Sequence, residues 1–160
     1  KPEGAAGVGW EVPRGEVLDR FRWASGRFVV SRAYCDPHEW RTDVDDLARE
    51  FNPEDDAPKA VVIPWATSRD TPMAAALDRL RVDIIRRATH QSPDPAVLIH
   101  YGNAYQRKKG HLVLVRKEYP NSPRKIDAVV SDALAYEARA DAIAAGWEPP
   151  DTDATMTVYM

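Results

Sequence analysis

A single cysteine, Cys35, occurs in the 160 residues, so an internal disulfide is impossible and a zinc site built from several thiolates is excluded. No apolar run approaches the roughly 20 residues of a membrane-crossing helix, and no basic stretch followed by an apolar one marks an export signal. A membrane partner is therefore not expected, and the lone thiol suits a reducing cytoplasm. Two motifs are also missing. No GxxxxGK followed by Ser or Thr is present to cradle nucleotide phosphates, and no GxSxG is present to raise a serine nucleophile. The composition is otherwise that of an ordinary folding chain: 44% apolar and 29% charged residues at a length that suits one domain.

The opening at Lys1 without a methionine is expected of a processed chain or of a piece of something longer. Gly4, Gly7 and Gly9 make residues 1–12 a flexible lead-in, residues 13–146 the folded domain, and the polar, proline-bearing residues 147–160 a disordered tail.

The net charge is only -3, but the charges are unevenly placed. Between Thr42 and Asp56 the acids Asp43, Asp45, Asp46, Glu50, Glu54, Asp55 and Asp56 face Arg49 alone. Between Tyr105 and Lys125 the bases Arg107, Lys108, Lys109, Arg116, Lys117, Arg124 and Lys125 face only Glu118. Either both runs are solvated faces, or the basic one lies along a phosphate backbone.

Apolar spacing predicts helices from Pro13 to Gly26, over Trp40–Phe51, from Thr71 through Ile84, briefly at His100–Tyr105, and from Ser122–Pro123 to Gly146. The runs Phe28–Cys35, Ala60–Trp65 and Leu112–Val115 read as short strands covered on both faces. The order implies an α/β fold, with helices over a small, mostly parallel sheet.

Chemistry concentrates at two carboxylates. Asp36 follows the first strand, where open α/β sheets present ligands, although a lone Asp-Pro more often caps a helix, here one opening at Pro37. Asp127 shares a helix flank with Val130 and Leu134 and is expected to face inward. Arg124 and Lys125 in that helix's first turn oppose its dipole, which calls for an anion nearby. Should this helix cross the sheet end bearing Asp36, the two carboxylates converge beside a basic rim. Such oxygen donors suit Mg²⁺ or Mn²⁺, and a metal pair can activate water against a phosphodiester. No third carboxylate is evident. His90, His100 and His111 lack the spacing of metal ligands, and His100 with Asn103 reads as a packed or capping feature.

Several runs together resemble the C-terminal nuclease domain of tailed-phage terminase large subunits. They are Tyr34-Cys35-Asp36-Pro37-His38-Glu39-Trp40, then Arg69 and Met73-Ala74-Ala75-Ala76 with Arg79, then His100 and Asn103. The most specific block is Ser122-Pro123-Arg124-Lys125-Ile126-Asp127-Ala128, followed by Ala135-Tyr136-Glu137-Ala138. The resemblance implies a ribonuclease-H-like fold and a metal-dependent endonuclease that cuts concatemeric double-stranded DNA during genome packaging in the host cytoplasm. It further implies two divalent metals held by three acidic positions. Asp36 matches the second and Asp127 the third, while the first would lie in a strand upstream of Lys1. On this reading Asp36, Asp127 and Lys125 are catalytic, with Lys125 near the scissile phosphate. Arg107, Lys108, Lys109, Lys117 and Arg124 contact DNA, and a small subunit and portal are further partners. The alternative is a non-catalytic fragment that binds DNA or a packaging partner.

Overall fold

Helices α1 (Arg14–Arg27) and α2 (Arg41–Phe51) alternate with strands β1 (Ala33–Cys35) and β2 (Val62–Pro64). They are followed by α3 (Asp70–Ile85), α4 (Pro95–Gly102), the strands β3 (Tyr105–Lys109) and β4 (Leu112–Arg116), and α5 (Asp127–Ala144). The structure is a computed structural model that describes residues 11–54, 56, 59–89, 91 and 94–148. The expected lead-in and tail fall outside these residues, apart from 11–12 and 147–148, as does His90.

β1 and β2 pair in parallel, Ala33 with Val62 and Cys35 with Pro64. Alternation along the strands sends neighbouring side chains to opposite faces. Cys35 and Val62 join Val44 and Leu47 of α2, with Leu18, Phe21 and Phe51 around them. On the other face Tyr34 and Trp65 stack with ring centroids 6.0 Å apart and enter the larger cluster made by α3, α5 and Leu114. The near-continuous apolar sequence of these strands has the cause expected of it, since helices cover both sides.

The third strand does not extend that sheet. β4 pairs antiparallel with β3, so the described residues hold one parallel pair and one separate hairpin in place of a single mostly parallel sheet. Gly110, at φ +59°, is the first central residue of the two-residue loop and takes a backbone conformation that side chains disfavour. Every residue of β3 is exposed, so Tyr-Gln-Arg-Lys-Lys carries no alternating apolar signal, and Tyr105, expected to close a short helix, opens the strand instead. Leu114 anchors the hairpin; it is the one residue of β3 and β4 buried in the core, against α3.

Helix starts also differ from expectation. α3 begins at Asp70 with Arg69 before it, so Thr71 lies inside the helix and caps nothing. α4 begins well before His100, because Asp94 accepts the Ala96 N–H at 2.8 Å and Pro95 fills the first helical position. α5 begins at Asp127, not at Ser122. Ser122 is instead buried, with its hydroxyl accepting the Arg124 N–H at 3.3 Å. Ala76 and Ala133 are fully buried in the cluster between α3 and α5, where small side chains allow helices to approach closely. No helix among the described residues is long and apolar enough to cross a membrane.

Candidate functional site

Asp36 sits immediately beyond the C-terminal end of β1 and is half-buried. Its Oδ1 accepts the His38 N–H at 3.1 Å, and its Oδ2 accepts the hydroxyl of Thr67, which follows β2. Two donors from two loops therefore fix the carboxylate at the sheet end, and lone pairs remain on both oxygens. The helix-capping alternative fails in detail, because α2 does not begin until Arg41 and Asp36 closes a local turn instead.

The edges of the parallel pair are unequal. Asn52 covers the outer side of β2: its Oδ1 accepts from Val61 and Val62 N–H, and its Nδ2 donates to Val62 C=O. Pro64 on that side has no N–H to offer. β1 differs. Ala33 N–H bonds Val61 C=O at 2.6 Å and Cys35 C=O accepts from Trp65 N–H at 2.8 Å, so both face β2. The backbone groups of Tyr34 point the other way, to an edge that no described strand covers.

Asp127 is the first residue of α5 and is exposed, which corrects the expectation that it faces inward. A carboxylate in a first turn is stabilised by the helix dipole without any ligand. Arg124 and Lys125 precede the helix, so the argument from cations inside its first turn does not hold. Arg124 pairs with Glu118 at 3.5 Å, and Lys125 is held through its C=O by Asn103 Nδ2 at 3.1 Å. His100 accepts the Ala128 N–H on Nδ1 at 3.1 Å. The capping reading of His100 and Asn103 is thus what the structure contains, and α4 braces the start of α5.

β1 meets α5 far from that start. Tyr34 OH donates to Asp141 at 2.5 Å, and Asp141 lies 14 residues beyond Asp127, about 21 Å along the helix axis. Burial, then this bond to Asp141, pushes the Tyr34 hydroxyl up to about 12. The start of α5 approaches Asp36 by way of the loop after β2. Thr67 and Ile126 line one cavity of about 380 Å³, together with Asp70, Arg107 and Leu114. Asp36 is bonded to Thr67 and Asp127 follows Ile126 in the chain, so each adjoins a residue of the cleft, but neither carboxylate lines it.

Of the basic residues, Arg107 lines this cleft. Arg107 and Lys109 both bind Asp70, the former at 3.0 Å, whereas Lys108 meets no carboxylate among the described residues. Lys117 donates to Ser122 C=O at 3.4 Å. Four of the seven acids in the acidic run are paired where they stand: Arg14 pairs with Asp43, Arg22 clasps Glu50 through Nε and Nη2, Arg49 pairs with Asp46 at 2.7 Å, and Lys59 pairs with Asp56 at 2.7 Å.

Residues that sequence reasoning passed over are Thr67 and Asp70. The rule that singled out Asp36 applies to both, since they follow the C-terminal end of the neighbouring parallel strand. Among the described residues no group of three or more His, Cys, Asp or Glu side chains is placed to hold a metal ion. Asp36 nevertheless offers hard oxygen donors that suit Mg²⁺ or Mn²⁺. The chain matches no protein-family model, no curated protein and no solved structure.

Proposed function

We propose that this chain is the nuclease part of a tailed-phage terminase large subunit, ribonuclease-H-like in fold, which cuts concatemeric double-stranded DNA in the host cytoplasm. The observation that carries the reading is Asp36, pinned by Thr67 and the His38 N–H at the end of a parallel strand whose outer edge no described strand covers. A further strand on that edge, from sequence upstream of Lys1, would set its own carboxylate beside Asp36. Asp36 and Asp127 would hold Mg²⁺ or Mn²⁺, and the metal would supply activation of water and stabilisation of the leaving oxygen. Thr67 fixes the orientation of the Asp36 carboxylate. Lys125 serves the scissile phosphate, and Arg107, Lys108, Lys109, Lys117 and Arg124 hold the duplex backbone.

The test is Mn²⁺-dependent nicking of supercoiled plasmid by a protein that includes the upstream segment. Asp36→Ala is expected to abolish nicking, and full activity of that variant would overturn the role of Asp36. The chain Lys1–Met160 by itself is expected to be weak or inactive.

A second reading is favoured by the exposed position of Asp127. It is a non-catalytic fragment that binds DNA or a packaging partner such as the small subunit or portal. Its signature is salt-sensitive DNA retention that chelation leaves unchanged.

A further inference from the structure

Asp70 opens α3, and its two oxygens are taken by two bases of β3. Oδ1 accepts from Arg107 Nη2 at 3.0 Å and Oδ2 from Lys109 Nζ. Arg107 and Lys109 are two residues apart in one strand, so they project from one face of the hairpin, and Lys108 projects from the other. The pairs are open to water: the side chains of Arg107 and Lys109 are 48% and 63% exposed, and that of Asp70 is 26% exposed. Lys109, and after it Arg107, hold the Asp70 carboxyl below the usual carboxylate range, so it is ionised at neutral pH. Asp70 also lines the cleft together with Thr67 and Arg107.

We infer that Asp70 is an internal competitor for the phosphate backbone, occupying Arg107 and Lys109 until a polyanion displaces it. This rests on the reading of the hairpin as a DNA-facing surface. A guanidinium and an ammonium bound to one carboxylate cannot direct the same donors at phosphate oxygens. Exposed ion pairs are weak, so a duplex carrying dense negative charge can replace the carboxylate. The arrangement lowers affinity for isolated anions and leaves a surface that responds to the charge density of a nucleic acid. The same contact clips the hairpin to the start of α3, so displacing it frees the hairpin to follow the duplex while Leu114 remains its anchor.

The experiment is fluorescence anisotropy of a labelled 20-base-pair duplex with the full chain over a series of NaCl concentrations. Asp70→Asn is expected to tighten binding about three- to tenfold at low salt, the range two exposed ion pairs allow, with the gain shrinking as salt rises. Asp70→Glu keeps the charge and should bind like the parent. Asp78→Asn, which removes from the same helix a charge that pairs with Arg81 and with no hairpin base, should gain less. The gain must vanish when Asp70→Asn is combined with Arg107→Ala and Lys109→Ala. Asp70→Ser repeats the test if Asp70→Asn fails to fold. Binding that needs Arg107 and Lys109 but ignores Asp70, or a gain that survives their removal, overturns the competition alone. Absence of duplex binding by every variant overturns the hairpin reading and the competition with it.

Discussion

The side-chain amide of Asn52 takes both backbone hydrogen-bonding groups of Val62: Oδ1 accepts its N–H and Nδ2 donates to its C=O, each at 2.8 Å. A third bond from Val61 N–H at 2.9 Å completes the seal on the outer edge of β2. Asn52→Ala is expected to cost about 2–3 kcal/mol, since three partly buried backbone groups lose their partner. Urea unfolding followed by circular dichroism measures it. Asn52→Asp should be nearly as costly, because a carboxylate cannot donate to Val62 C=O.

His100 and Asn103 tie the end of α4 to the start of α5. His100→Ala removes the acceptor of the Ala128 N–H and should cost about 1 kcal/mol, as for the loss of a helix cap. Asn103→Ala should cost a similar amount. If the two act as one brace, the double variant will show a coupling energy in a thermodynamic cycle.

Tyr34 provides an alkaline test. Its hydroxyl is pushed up to about 12 by burial and by its bond to Asp141, against about 10 in an unfolded chain. The raised value favours the neutral form in the folded state. The stabilisation is therefore complete below about pH 10 and is lost as pH rises from there through about 12. Denaturant midpoints of the parent at pH 8 and pH 11 should differ by more than those of Tyr34→Phe. Equal differences would remove Tyr34 from the account.

Leu114 is the hairpin's anchor in the α3–α5 cluster, at 4% exposure. Leu114→Ala should destabilise the chain by about 2–4 kcal/mol. Hydrogen exchange would show β3 and β4 losing protection before α3 does.

The parts legible in the sequence are those in which burial leaves a periodic trace. Val44 and Leu47 of α2, and Met73, Ala76, Leu77 and Leu80 of α3, recur at helical spacing and are buried, while Trp40 and Phe51, which share the α2 spacing, are half-buried at its ends. Ile84 continues that stripe in sequence but lies beyond the core at 42% exposure, because the cluster ends before the last turn of α3. β3 left no trace, since a strand with all five residues in water has no apolar period and only its partner reveals it. The start of α5 was misplaced because Ser122-Pro123 resembles a cap and first-turn proline, while tertiary contacts bury Ser122 and leave Asp127 to open the helix. Asp36 was legible from its position after a strand. Thr67 and Asp70 acquire meaning only once β2 is known to lie beside β1 and the hairpin over α3.

The two sides of the parallel pair are held by different forces. Across α1 and α2, Arg14–Asp43 and Arg22–Glu50 pair in water, with the Phe21 and Phe51 rings 5.1 Å apart. Across α3 and α5, fully buried alanines meet, and an ion pair, Arg79–Glu137 at 2.9 Å, closes the rim of the seam. Ionic strength therefore acts unevenly on the molecule. Concentrated salt loosens the arginine clasps between the first two helices, while on the opposite side it reaches the Arg79–Glu137 rim and leaves the alanine contact beneath it in place.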